Sequence, residues 1–328
     1  MTQLNEGNFV LFAYEFDGKG GAKPLTGKEV DKQIKAKKLA WVHLDATASE
    51  TEPWLRENVD YLDSLIIDAL LAEETRPRVT FFGKGAMVIL RGMNLQENAD
   101  PEDMISIRLW IDESRIISLR RRPLKAVQDI RDNLDSGKGP KDAGAFLAML
   151  GQRLFERMQP VLFELGEEID DIEESMLEDV SSTERQRVNE VRRKALIFKR
   201  YISPQKDVMA SLRNAEMPWI HAHTTRRFQE NQDRLTRYLE DLDSVRERAQ
   251  IIKEEYTNIL SDRMNKNTYA LSLIAGIFLP LGFLTGLLGI NVGGMPGVNN
   301  PLAFWIVVGL CVLCGGAFIG LFKILKWL

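Results

Sequence analysis

Three small groups of residues have the types and spacing to do chemistry. The first is Gly289-Ile290-Asn291, followed by Gly293-Gly294-Met295-Pro296-Gly297. Taken bare, Gly-x-Asn is an ordinary helix end, because both residues tolerate left-handed backbone. Here it closes a charge-free apolar stretch and precedes a short neutral loop, where the mouth of a path through a membrane belongs. The second group is His221-x-His223. Alternate residues share a face only in extended backbone, so the pair can ligate zinc there and is otherwise a solvated loop leading into a helix. The third is Cys311-x-x-Cys314, which has zinc-ligand spacing but lies in an apolar stretch with no His or acid near. Small apolar packing is the expectation for it. The remaining histidine, His43, sits in a strand-like run, AWVHLD, and reads as structural. No nucleotide loop, nucleophile–base pattern or catalytic metal spacing is present, so the chain does not read as an enzyme and no cofactor is expected.

Charge distribution says which elements carry the first group. The chain has 43 basic and 47 acidic residues, a net charge of -4, which gives no case for nucleic acid. From Asn267 to Phe322 there is no Asp, Glu, Lys, Arg or His. Two stretches inside that segment, 269–290 and 301–321, are about 33 Å and 31 Å long at the α-helical rise, matching a hydrocarbon core of roughly 30 Å. Neither shows the polar face of a soluble helix. Arg263 and Lys266 precede the first and Lys323 and Lys326 follow the second, while the loop between them has no basic residue. Both termini therefore face the cytosol. The N-terminal MTQLNEGNFV lacks a basic region followed by an apolar run and does not read as a signal peptide. Trp305 and Trp327 stand where interfacial anchors belong.

The first stretch is unlike a simple anchor. Small residues such as Ser272, Gly276, Gly282, Gly286 and Gly289 let helices approach closely, and Pro280 should kink it near Gly276. Thr268, Leu271, Ala275, Leu279, Gly282 and Gly286 fall on one narrow, mildly polar face. This face either packs on the second stretch or lines a pore. Two helices per chain cannot enclose a pore, so a pore requires several copies.

The rest reads as a cytosolic α/β domain over 1–140, a cytosolic helical bundle over 141–267 and a transmembrane domain over 268–328. Strand-like runs are 9–14, 40–44, 80–91 and 105–118, with a helical stretch at 54–74. An apolar stripe of Phe163, Ile169, Ile172, Met176 and Val180 marks a helix whose other faces carry the acids of 167–179. These acids are either a solvated face or a wall that gathers cations. Ser181-x-x-Glu184 is a capping box for the next helix, which Pro204 should kink or end. A helix starting near Thr224 keeps a heptad, Phe228, Leu235, Leu242, Ala249 and Tyr256 in one register and Tyr238, Val245, Ile252 and Ile259 in the other. No Gly or Pro interrupts it before Gly276, so one helix is expected to run from the cytosol into the membrane.

With these residues in view, the chain resembles the CorA-type family of divalent-cation transporters over its whole length, most sharply over 265–328. The family has a Gly-Met-Asn signature where this chain has Gly289-Ile290-Asn291, then a Met-Pro loop and a tail ending Lys-Trp-Leu, here Met295-Pro296 and Lys326-Trp327-Leu328. Its Phe-x-Pro-Leu element stands here as Phe278-Leu279-Pro280-Leu281. The resemblance implies an α+β, funnel-shaped homopentamer in a bacterial inner membrane. Asn265, Thr268, Leu271, Ala275, Leu279, Gly282 and Gly286 would line its axis, with a ring of Asn291 amides at the mouth. Such a ring can hydrogen-bond the waters of a hydrated cation without stripping them, and Leu271 and Leu279 can gate by dewetting. Two departures, Ile290 for Met and Gly297 for the acid after Met-Pro, resemble the zinc-transporting ZntB branch, as does the run from Ala72 to Arg78. The expectation is therefore Zn2+ transport, with a CorA-like Mg2+/Co2+ channel as the alternative and a membrane-tethered sensor or scaffold as a further one. Any proton coupling must use groups outside the charge-free segment, because membrane carriers usually place Asp, Glu or His within the bilayer.

Overall fold

The computed structural model describes residues 9–178, 182–290, 297 and 299–325. The chain divides into two compact units, Met1–Lys253 and Glu254–Leu328.

The first unit is built on one sheet of seven strands, β1 (Val10–Phe16), β2 (Ala22–Pro24), β3 (Ala40–Asp45), β4 (Arg78–Phe82), β5 (Gly85–Gly92), β6 (Ile105–Ile111) and β7 (Arg115–Arg120). Their order is β2-β1-β3-β7-β6-β5-β4, with β3–β7 parallel and the other pairs antiparallel. The expected strand over 80–91 is in fact a hairpin, because Gly83 turns the chain with φ 57° between β4 and β5. The run 105–118 divides in the same way, where Asp112 Oδ1 accepts from the Ser114 N–H at 2.9 Å. The helical stretch 54–74 becomes α2 (Thr51–Asn58) and α3 (Ser64–Leu71), because Asp63 caps α3 by accepting from the Leu65 N–H.

Strand alternation gives the sheet two apolar faces. Val42, Leu44, Met87, Ile89, Ile117 and Leu119 pack with α1 (Lys28–Ile34), α2 and α3. Trp41, Val88, Leu90, Ile107, Leu109 and Ile116 face the opposite cluster. That cluster holds α4 (Lys125–Asp135), α5 (Ala143–Glu156), α6 (Gln159–Glu178), α7 (Ser182–Asn214) and the first part of α8 (Ala222–Gly289). In α6 the core positions are Leu162, Leu165, Ile169 and Ile172, while Phe163 is 64% exposed, so Phe163 leaves the expected stripe. The helix phase set by the 3-4-3 spacing of its neighbours turns it outward. Val180 and Ser181 lie outside the described residues. Pro204 stands inside α7 without ending it.

The heptad of α8 is buried in the first unit at Phe228, Leu235, Tyr238, Leu242, Val245, Ala249 and Ile252. Two polar ties fix its register on α5. Asn231 Nδ2 donates to the Ala148 carbonyl at 3.0 Å, and the Tyr238 hydroxyl donates to the Phe155 carbonyl at 3.1 Å. Gly151 makes room for the first: a Cβ there would stand 3.1 Å from Asn231 Nδ2. The second unit holds the remainder of α8 and α9 (Ala303–Ile324).

Candidate functional site

In the second unit, α8 and α9 are both long and apolar enough to cross a membrane. Their mutual packing is set by small residues. A Cβ at Gly276 would stand 3.1 Å from Phe322 Cζ, and one at Gly315 would lie 3.8 Å from Leu281 Cδ1. The half-covered positions of α8 here are Leu273, Ala275, Gly276, Ile277, Leu281 and Leu284, mostly a stripe at helical spacing. On α9 the covered stripe is Ala303, Val307, Cys311, Cys314, Gly315, Phe318 and Phe322. Both cysteines therefore sit among apolar packing positions, half-buried, as their surroundings in the sequence suggested.

The face of α8 named from the sequence lies on the other side. At about 100° per residue, Thr268, Leu271, Ala275, Leu279, Gly282 and Gly286 centre roughly 170° from the stripe of Leu273, Ile277, Leu281 and Leu284. All but Ala275 are exposed in the single chain, Leu271 by 68% and Leu279 by 71%. A Cβ on Gly282, Gly286 or Gly289 would meet nothing within 4 Å. Asn265 is exposed at the edge of the same face. Hydroxyls along the helix are turned back onto its carbonyls, Ser272 Oγ donating to Thr268 O at 2.8 Å and Thr285 Oγ1 to Leu281 O at 2.9 Å. The open face is thus narrow, small and uncharged. Ile290 follows the helix end, Gly297 has φ 88°, and Asn291, Met295 and Pro296 lie outside the described residues.

The other expected groups are in the first unit. His43 is fully buried on the face of Trp41, with Nδ1 2.7 Å from Ser118 Oγ and its ring stacked on Phe12 at 4.8 Å. Burial, aided by Arg120, pushes its pKa down to about 3 against the opposing Ser118 bond. It is a neutral structural histidine. α8 begins at Ala222, so the backbone through His223 is helical and not the extended form in which the pair is expected to ligate. The two rings of His221 and His223 are nonetheless exposed, with centroids 5.8 Å apart, and His223 Nε2 lies 3.4 Å from Asp142 Oδ2. Sequence reading missed Asp142 beside them; its only local signal is that of an N-cap before an apolar helix. The acidic helix α6 is partly neutralised by its own chain, Arg248 reaching Asp170 at 2.6 Å as well as Glu173, and Lys194 reaching Glu168 at 3.4 Å.

Known proteins share this arrangement. The family model described as CorA-like Mg2+ transporter protein matches residues 36–323. A zinc transport protein ZntB of Pectobacterium atrosepticum is 37% identical over 318 residues, 97% of this chain and 96% of that protein. The divalent cation transporter CmaX of Pseudomonas aeruginosa is 36% identical over 325 residues, covering 97% of each chain. The full-length CmaX structure superposes with a TM-score of 0.84 at 35% identity, over 97% of this chain and 98% of that one. The complete CorA magnesium transporter of Methanocaldococcus jannaschii shares the fold, with a TM-score of 0.80 at 17% identity over 97% and 98% of the two chains. These relatives are transporters of metal ions rather than enzymes. With the match running from the sheet of the first unit through both apolar helices, the chain belongs to the CorA family of divalent-cation transporters.

Proposed function

We propose that the protein carries Zn2+ across a bacterial inner membrane, with both termini cytosolic, along the axis of a homopentamer lined by α8. One observation carries this reading. The small, uncharged face of α8 points away from α9, is uncovered in the single chain except at Ala275, and leads to Gly289 and Ile290, with Asn291 next in the sequence. Asn265, Thr268, Leu271, Ala275, Leu279, Gly282 and Gly286 line the path. Leu271 and Leu279 narrow it, and Asn291 holds the ion through its hydration water beside the Met295-Pro296-Gly297 loop. Neutral amide and hydroxyl groups suit this role, since an ion must bind weakly enough to leave. The preference for zinc is supported by the likeness to ZntB and by the absence of an acid after Met295-Pro296.

The absence of Asp, Glu, Lys, Arg and His from 267 to 322 further implies a hydrated route for any coupled proton, with titrating groups outside the bilayer. A second reading, a magnesium channel, is favoured by the description of the matching family model. The deciding experiment is reconstitution in liposomes with fluorescent reporters of zinc and magnesium, using wild type and Asn291→Ala. Zinc flux that collapses in the variant supports the zinc reading; magnesium flux alone supports the channel. An anchor without transport would conduct neither ion and would tolerate Asn291→Leu. Repeating the zinc assay with and without a pH gradient tests the coupling: flux indifferent to the gradient means a passive path.

A further inference from the structure

We propose that Asp142, His221 and His223 form a metal site for zinc-class cations on the surface of the first unit, made of residues that the ion path does not use. Whether zinc or magnesium passes along α8 does not bear on it.

The backbone that carries the three side chains is held in place. Trp219 is 1% exposed, and its Nε1 donates to the Lys84 carbonyl at 2.9 Å. Thr224 is fully buried, and its N–H donates to the His221 carbonyl at 2.8 Å, starting α8. The segment between them lies directly on the first turn of α5. A Cβ on Gly144 would stand 2.3 Å from the Trp219 carbonyl oxygen and 3.1 Å from Thr224 Cγ2, so only glycine permits this approach. Asp142 caps the same turn, its Oδ1 accepting from the Ala145 N–H at 2.7 Å. One carboxylate oxygen is therefore spent on the helix and the other, Oδ2, is presented to His223.

One donor-to-donor distance fits a shared metal ion. His223 Nε2 and Asp142 Oδ2 are 3.4 Å apart. That is beyond the usual hydrogen-bond range of about 2.7–3.2 Å. It matches the edge of a tetrahedron around zinc, about 3.3–3.4 Å for ligands near 2.0–2.1 Å from the ion. The ring centroids of His221 and His223, 5.8 Å apart, are close to the separation of roughly 5 Å for two imidazoles on one such ion. In the orientations the structure gives, no three His, Cys, Asp or Glu side chains among the described residues are placed to hold a metal ion. The trio closes when the ring of His221, which is exposed, turns toward the other two.

The surroundings select the kind of ion. Two helix N-termini, those of α5 and α8, place partial positive charge here. Lys141 precedes Asp142 in the sequence, and Arg226 and Arg227 follow in the first turns of α8. A hard cation held by charge alone gains little in such a field. A borderline metal bonding to imidazole nitrogen does better, so zinc, cobalt or nickel should bind and magnesium should not. Three protein ligands leave a fourth position to water. An occupied site would clamp the first turn of α8 to the first turn of α5.

The test uses the full chain, purified in detergent and titrated with Co2+, whose visible absorption reports tetrahedral coordination. Wild type should show the band, and Zn2+ but not Mg2+ should displace it. His221→Gln and His223→Gln should each weaken binding at least about tenfold. Asn291→Ala should leave the band intact. Metal-free melting temperatures of the two histidine variants equal to that of wild type will show that folding is preserved. No band in wild type, a band that survives both histidine substitutions, a band lost in Asn291→Ala, or displacement by Mg2+ would each overturn the site.

Discussion

The two parts of α8 differ in apolar content and in charge, and they meet opposite fates. Up to Lys253 the heptad positions are buried, Phe228, Leu235 and Ala249 completely so, while Ile251 beside them is 55% exposed. Beyond Glu254, Leu271, Phe278, Leu279 and Phe283 are each about two-thirds or more exposed. The first part interleaves apolar positions with charges, so one stripe finds partners on the chain's own α5 and α7 and the rest meets water. From Thr268 the second part is uncharged all round, and one chain supplies only α9, which covers a single stripe. Its other surfaces need lipid or further copies of the chain. One continuous helix thus joins a part whose stability comes from its own core to a part whose environment must come from outside.

The sharpest way to break this comparison is at the far end of the exposed part. Asn291→Ala should abolish ion flux in liposomes while leaving the melting of the first unit unchanged; a fall in both would mean the two parts are not separable. Next in size, Phe228→Ala in the buried part should cost about 3–5 kcal/mol of stability, read by chemical denaturation, from lost burial and the cavity left behind. The paired glycines sharpen the contrast within the second unit. Gly282→Val projects into open space and should cut flux at least about tenfold, with helix packing intact. Gly276→Val must displace Phe322 and should loosen the α8–α9 pair, measured as lower thermal stability in detergent.

His43 gives a pH signature confined to the buried part. Its folded pKa, about 3, lies below the ordinary 6.5, so between these values the unfolded chain binds the extra proton. Stability contributed by neutral His43 is present above about pH 6.5 and is lost as pH falls toward 3, at up to roughly 1.4 kcal/mol per pH unit. Replacing His43 with a neutral residue should flatten that slope in denaturation curves taken across the window. The smallest effect belongs to the surface. Breaking the Lys199–Asp243 pair, 2.7 Å between Nζ and Oδ2, by Asp243→Asn should change stability by about 0.2–1 kcal/mol and less in high salt.

Sequence alone determined the features that depend on local pattern or composition. The charge-free segment dictates two apolar helices, since hydrocarbon admits backbone only when its hydrogen bonds are made internally. The heptad dictates the buried stripe of α8, and the small residues dictate a narrow face opposite bulkier ones. Turn chemistry was less legible: a single Gly83 and the Asp112 turn split two expected strands into hairpins, and Asp63 split a helix. Phe163 was misplaced because helix phase depends on neighbouring helices. What only tertiary structure decided are the relations between residues far apart in the chain. Gly276 meets Phe322, which leaves Gly282 and Gly286 open, and Asp142 meets His223 because Gly144 lets the loop before α8 settle on α5. Such contacts are chosen by packing, and no periodicity in a single stretch of sequence encodes them.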